Sequence, residues 1–134
     1  MTFRLAPSMT ADTQFFWDGA KDSRLLIQRC RECSALRHPP RPVCPQCHSL
    51  EWDAIESSGR ATVYSFVMPR HPQMPFFDER YIVALVELEE GVRLVSNLVD
   101  VDADDASIGM RVCVRFDAFD EGVVLPVFVP EVNQ

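Results

Sequence analysis

Four cysteines stand at a spacing that few chemistries use: Cys30-x-x-Cys33, ten intervening residues, then Cys44-x-x-Cys47. Two residues between thiolates let one tight turn aim both sulfurs at a single ion. Two such turns complete a tetrahedron with sulfur–metal distances of about 2.3 Å. The pattern reads as a structural ribbon holding Zn²⁺. Two disulfides are a competing reading, disfavoured in a reducing compartment. A redox pair is another, but such a pair normally occurs once, at the start of a helix. Four thiolates leave no coordination position for water, so the metal is expected to hold the segment folded rather than to hydrolyse anything.

Other reactive side chains are sparse. Cys113 is a fifth thiol, set between Val112 and Val114 in a strand-like run with Arg111 and Arg115 close by. It reads as an inert small residue, with an arginine-activated nucleophile as the alternative. His38 and His48 sit within or beside a ribbon whose ligand count is already complete. His71 lies in a proline-rich stretch near Asp78 and Glu79, where it reads as a solvated loop residue or as a general base. There is no glycine-rich phosphate loop, no nucleophile-elbow serine and no HExxH. The acidic run 100–105 superficially matches a calcium loop. Its sixth position is Asp105 rather than glycine and its twelfth is Arg111 rather than glutamate, so it reads as a solvated connection. Catalysis is not expected of this chain alone.

The elements that must position these groups follow from composition and pattern. At 134 residues, with 47% apolar and 25% charged side chains, the chain suits one compact domain with a small appendage. A formal charge of −7 repels nucleic acid overall. No apolar run approaches the roughly 20 residues needed to cross a bilayer, and Met1–Pro7 lacks the apolar stretch of a secretory signal. A soluble, cytoplasmic protein is expected.

Three segments are expected. Residues 1–23 form an N-terminal helical segment, with Thr10 capping a helix over 11–20 that carries Phe15, Phe16 and Trp17. Residues 24–57 form the ribbon, entered by a short strand over 24–29. Residues 58–130 carry five strand-like runs, 59–68, 81–89, 92–99, 110–117 and 123–129. Glu90-Gly91 forms a tight hairpin link, and a helix-compatible stretch over 102–108 follows the third run. That order matches an OB-type barrel, and Pro126 in the last run suits the edge of a partly open one. Alternation places Val112, Val114 and Phe116 inward, opposite Arg111, Cys113, Arg115 and Asp117. The loops at 69–80 and 118–122 would flank a ligand-binding face.

The knuckle Cys44-Pro45-Gln46-Cys47 resembles that of rubredoxin, which makes iron the second candidate metal after zinc. Phe15-Phe16-Trp17, Cys30-Arg31-Glu32-Cys33, Pro39-Pro40-Arg41, the second knuckle, the Ser58-Gly59 turn, Thr62–Ser65, Val83–Leu88, Ile108–Val112 and Leu125–Phe128 follow one another in order. Together they resemble the acyl-CoA-associated zinc-ribbon/OB-fold family, long called a domain of unknown function. The resemblance covers about residues 10–130. Ala61 and Arg80 depart from it, standing where glycine and proline are common.

The resemblance implies a mainly β protein: a short N-terminal helix, a rubredoxin-like zinc ribbon, then a five-stranded OB-fold barrel. It implies a non-catalytic accessory subunit of a thiolase-superfamily enzyme, or a partner of a hydratase, in a hetero-oligomer that handles acyl-CoA. Carbon–carbon cleavage or formation, of thiolase or retro-aldol type, would then occur on the partner. By analogy Cys30, Cys33, Cys44 and Cys47 hold Zn²⁺, and the barrel helps bind or shield the acyl-CoA. Phe15, Trp17, Phe76 and Phe77 are candidate partner contacts, the alternative being that the helix aromatics pack on the barrel. Arg41, Arg111 and Arg115 are candidates to meet the phosphates of CoA.

Two other classes stay open. Ribbons and OB barrels also bind single-stranded nucleic acid, which needs a positive groove. Residues 81–134 instead carry eleven acidic and three basic side chains. An independent acyl-CoA enzyme using His71 or Cys113 is the other.

Overall fold

The computed structural model describes residues 10–68, 81–119 and 122–131. The chain opens with α1 (Gln14–Lys21). A three-stranded antiparallel sheet follows, built from β1 (Leu26–Cys30), β2 (Leu36–Arg37) and β3 (Trp52–Glu56), with β1 in the middle. Then come β4 (Arg60–Val67), β5 (Ile82–Leu88), β6 (Arg93–Leu98), β7 (Arg111–Ala118) and β8 (Val124–Pro130). These five close into a barrel in the order β4-β5-β6-β8-β7, with β7 pairing back onto β4. The fold is the mainly β one expected: short helix, four-cysteine ribbon and five-stranded barrel.

Period-2 alternation explains the barrel. In β5 residues 82, 84, 86 and 88 are buried, while 83, 85 and 87 are half-buried on the outer face. Val63, Ile82, Val86, Val112 and Phe128 are all but fully buried and fill the interior, while Val127, equally buried, turns to the outer face beneath the helical segment. Val112, Val114 and Phe116 do turn inward, the last two partly buried against the core. Gly91 takes a positive φ of 94° in the hairpin, where its amide donates to the Leu88 carbonyl at 2.8 Å.

The structure corrects four expectations. The barrel is closed rather than partly open, but its seam is thin: among the described residues the parallel β6–β8 ladder consists of Leu98 opposite Phe128. Pro126 sits on that side of β8. Its carbonyl, facing β6, accepts from Ser96 Oγ at 2.8 Å, so its missing N–H costs no ladder bond. The helix begins at Gln14 rather than 11, because the Thr10 N–H bonds Thr13 Oγ1 and the Thr13 amide donates back to the Thr10 carbonyl. A tight turn forms there instead of a first helical turn. The stretch over 102–108 shortens to a single 3₁₀ turn, Ala103–Asp105, ended by Ala106 in an extended conformation. The entering strand runs over Leu26–Cys30 rather than 24–29.

Ribbon and barrel meet without slack. Glu90, from the β5–β6 hairpin, accepts from Ser57 Oγ at 2.6 Å and from the Ser58 amide at 2.9 Å. Ser58 Oγ donates to Glu89 at 2.7 Å. Gly59 follows with φ +82°, and a Cβ there would lie 2.5 Å from Val114 Cγ1. Only glycine permits β4 to start that close to β7. On the other side Gly19 lets α1 lie against β1, since a Cβ would come within 2.8 Å of Leu26 Cδ1.

Candidate metal centre and adjoining cleft

The four cysteines converge. Their Sγ atoms all lie within 4.8 Å of one another. Cys30 and Cys47 are 3.5 Å apart, Cys33 and Cys44 3.7 Å. A tetrahedral ion with sulfurs at about 2.3 Å requires sulfur–sulfur edges of about 3.8 Å, so the donor set fits one metal. Two disulfides would pull paired sulfurs to about 2.05 Å. These separations are those of ligands.

The same local fold is used twice. Cys30 is followed four residues later by Ser34 at φ 65°, whose amide donates to the Cys30 carbonyl at 3.0 Å. Cys44 is followed by His48 at φ 64°, whose amide donates to the Cys44 carbonyl at 2.9 Å. The Cys30 amide in turn bonds the Ala35 carbonyl and the Cys44 amide the Ser49 carbonyl, which closes each knuckle. Left-handed backbone at non-glycine residues costs about 1–2 kcal/mol, a strain that persists only where the surroundings hold it. His48 is therefore part of the second knuckle's backbone. No sequence rule for ligand spacing points to that role.

Each knuckle also prepares its first sulfur. Amides of Cys33 and Glu32 point at Cys30 and pull its thiol below its ordinary value against the opposing effect of burial. Amides of Cys47 and Gln46 do the same for Cys44, lowering it to about 6. Cys30 and Cys44 are fully buried, and Cys33 and Cys47 close the outer side.

A second feature lies where three elements meet. Thr13, Phe16 and Trp17 of the helical segment face His38, Pro39 and Pro40 of the ribbon across Leu94–Asn97 of β6 and Leu125–Val127 of β8. They enclose a cleft of about 330 Å³. The Phe16 ring sits 4.8 Å from Trp17 and edge-on to His38 at 5.2 Å. Burial pushes the His38 imidazole down to about 4, so it is neutral at pH 7. The cleft lies over the thin β6–β8 seam, where α1 packs against β8.

The remaining sequence candidates fall in different places. Trp17 lines the cleft; Phe15 instead stacks at 4.9 Å on Trp52 of the ribbon. Arg41 and Arg111 are exposed. The Arg115 guanidinium is held by Asp117 at 2.6 Å and Asp100 at 2.5 Å, two carboxylates that already match its charge. Cys113 is a half-buried ladder residue, opposite Val129 on one side and Arg60 on the other. Phe76, Phe77 and His71 lie outside the described residues.

Comparison with known proteins places the chain. Residues 17–53 match the rubredoxin-like zinc ribbon domain of ChsH2, and residues 54–117 match its C-terminal OB-fold domain. A "DUF35 domain-containing scaffold protein" of Methanocaldococcus jannaschii is 33% identical over 115 residues, 81% of this chain and 82% of that protein. This chain belongs to the ChsH2/DUF35 zinc-ribbon and OB-fold family.

Two longer relatives carry enzyme names. The "Probable enoyl-CoA hydratase alpha subunit" of Thermomonospora curvata is 47% identical over 131 residues, 98% of this chain. The "3-oxo-4,17-pregnadiene-20-carboxyl-CoA hydratase alpha subunit" of Mycobacterium tuberculosis is 44% identical over 115 residues, 86% of this chain. The chain spans only 41% and 37% of their lengths. Among solved structures, a chain of the "Ltp2-ChsH2(DUF35) aldolase" superposes with a TM-score of 0.90 at 48% identity, covering 94% of this chain and 99% of that one. A DUF35 protein from Sulfolobus solfataricus shares the fold at 14% identity and a TM-score of 0.64. No helix among the described residues is long and apolar enough to cross a membrane.

Proposed function

We propose that this chain is a non-catalytic accessory subunit that binds a thiolase-superfamily enzyme and helps bind or shield acyl-CoA while that partner makes or breaks a carbon–carbon bond. The observation that carries the reading is the superposition on a chain named as part of an Ltp2–ChsH2 aldolase, which extends over nearly the whole of both chains. Relatives named as hydratase alpha subunits and as scaffolds support the same role as one component of a larger enzyme. A hydratase is the second candidate partner.

In this reading the ion is zinc, held by Cys30, Cys33, Cys44 and Cys47, and what it supplies is cross-linking of the ribbon. Its sphere is filled by four thiolates, so it offers substrate no open position. The chain's own residues then act by shape. Trp17, at the mouth of the cleft, and Phe76 and Phe77 serve as partner contacts, aromatics being the usual anchors of such interfaces. Phe15, half-buried beside Trp52, is a further partner contact in this reading. Arg41 and Arg111 are free to meet CoA phosphates at the surface; Arg115 meets them only by leaving two carboxylates.

Affinity capture of the tagged, metal-loaded chain from its native cell extract tests the reading. A thiolase-superfamily enzyme should co-purify in fixed ratio, and its acyl-CoA activity should fall when this chain is withheld. Recovery of the chain alone, or turnover of acyl-CoA by the isolated chain that the His71→Ala substitution abolishes, would overturn it.

A further inference from the structure

The cleft between helix, ribbon and barrel is lined by thirteen residues, and none carries a charge at pH 7. That is unusual on a chain of which 25% is charged. Phe16, Trp17, Pro39, Pro40, Leu125 and Pro126 make most of the wall apolar. The polar exceptions are largely occupied: Ser96 Oγ bonds the Pro126 carbonyl at 2.8 Å and Asn97 Nδ2 the Ile82 carbonyl at 3.0 Å. Such a surface gains by desolvating an apolar group and has nothing to offer a phosphate. The cleft volume, about 330 Å³, lies within the ordinary range for small-molecule sites, which favour junctions between structural units.

The ribbon wall is held in place by a buried polar clamp. Gln28, 1% exposed at the centre of β1, donates from Nε2 to the Arg41 carbonyl at 2.9 Å and accepts from the Arg41 amide at 2.8 Å. Arg37 Nη2, from the neighbouring strand, donates to the same carbonyl at 2.9 Å. With a longer bond from Arg37 Nε at 3.3 Å, four hydrogen bonds thus pin the residue that follows the His38-Pro39-Pro40 wall. Gln28 and Arg37 face each other across β1 and β2, the strands that flank the first knuckle, so the ribbon sheet itself holds this side of the cleft in place.

We infer that this cleft is the site for the acyl end of a CoA thioester, an aliphatic chain or fused ring, while the phosphates remain outside it. The inference rests on the acyl-CoA reading above and adds which half of the ligand this chain takes. Trp17 in the wall is the reporter, and Val95 is the residue to change: it lines the cleft yet is 65% exposed, so a charge there leaves the barrel core untouched.

In metal-loaded protein carrying Trp52→Phe, leaving Trp17 as the single tryptophan, decanoyl-CoA should shift the fluorescence saturably and bind at least about tenfold more tightly than coenzyme A, a difference of about 1.4 kcal/mol. Val95→Glu should weaken decanoyl-CoA binding by about tenfold or more. Gln28→Leu should do likewise while metal content stays at one per chain. Equal binding of coenzyme A and decanoyl-CoA, no response of Trp17, or unchanged affinity in Val95→Glu would each overturn the inference. Partner capture is a separate readout. Failed capture with intact acyl discrimination would remove the accessory role and leave the cleft, and the reverse would remove the cleft alone.

Discussion

The ribbon and the barrel solve the same problem with different material. The barrel buries Val63, Ile82, Val86, Val112 and Phe128 behind nearly continuous ladders, so its stability comes from apolar area removed from water. The ribbon sheet has Leu25 and Ile27 buried toward the barrel core, but its other fully enclosed side chains are Cys30, Cys44, Gln28 and Arg37. Two of those belong to the four-cysteine set positioned to hold a metal and two are hydrogen-bonding groups. Too little apolar surface is available there to offset the ordering of some thirty residues at about 1–2 kcal/mol each. The ribbon needs an ion in its four-cysteine site, and its neighbour, to fold; the barrel needs only its own core. One chain can thus keep a rigid edge in a segment too polar to form a core.

Removing the metal should separate the two most sharply. Structural zinc in small domains contributes on the order of 10 kcal/mol or more. Chelation, or Cys44→Ser, is expected to abolish the ribbon's amide dispersion in NMR while the barrel strands keep theirs. Loss of both together would show that the barrel depends on the ribbon. The opposite perturbation is Phe128→Ala. It should cost about 3–5 kcal/mol in denaturant unfolding yet leave one metal bound per folded chain, as elemental analysis would show.

The smallest effect belongs to the boundary between them. Burial holds His38 neutral, with its pKa lowered to about 4 from the ordinary 6.5. The folded state therefore binds its proton less readily than the unfolded state. Stability from this group is complete above pH 6.5 and is lost as pH falls from there toward 4. At pH 5 the loss should be about 2 kcal/mol. It is read as the difference in urea midpoint between the wild-type chain and His38→Gln at pH 7.5 and pH 5, metal-loaded in both cases. A pH-independent difference would remove His38 as the source.

How much of this was legible in the sequence follows the same division. The convergence of the four cysteines was readable because a four-thiolate site demands paired close spacings whatever surrounds it. The barrel strands were readable because alternation persists where one face is buried. β2 was not, since two residues carry no period and Leu36 and Arg37 become a strand only by pairing with Arg29 and Gln28. β3 was missed for a related reason: Trp52–Glu56 shows no buried side in its pattern and is defined by its long-range partner β1. The cleft was invisible too. Its walls come from residues 13–17, 38–40, 94–97 and 125–127, which share no motif and meet only because the helix lies across the seam.

That seam has a consequence for how the cylinder is closed. Every other junction around the circumference is a ladder several rungs long, so prising it apart sacrifices many bonds at once. Among the described residues the line joining β6 to β8 has one ladder pair, Leu98 and Phe128, with the Val99 amide donating to the Phe128 carbonyl at 2.9 Å and Ser96 Oγ to the Pro126 carbonyl at 2.8 Å. The stretch of wall that carries the cleft is thus the one with the shortest ladder among the described residues, and the helix packed on β8 supplies there the closure that strand pairing supplies elsewhere.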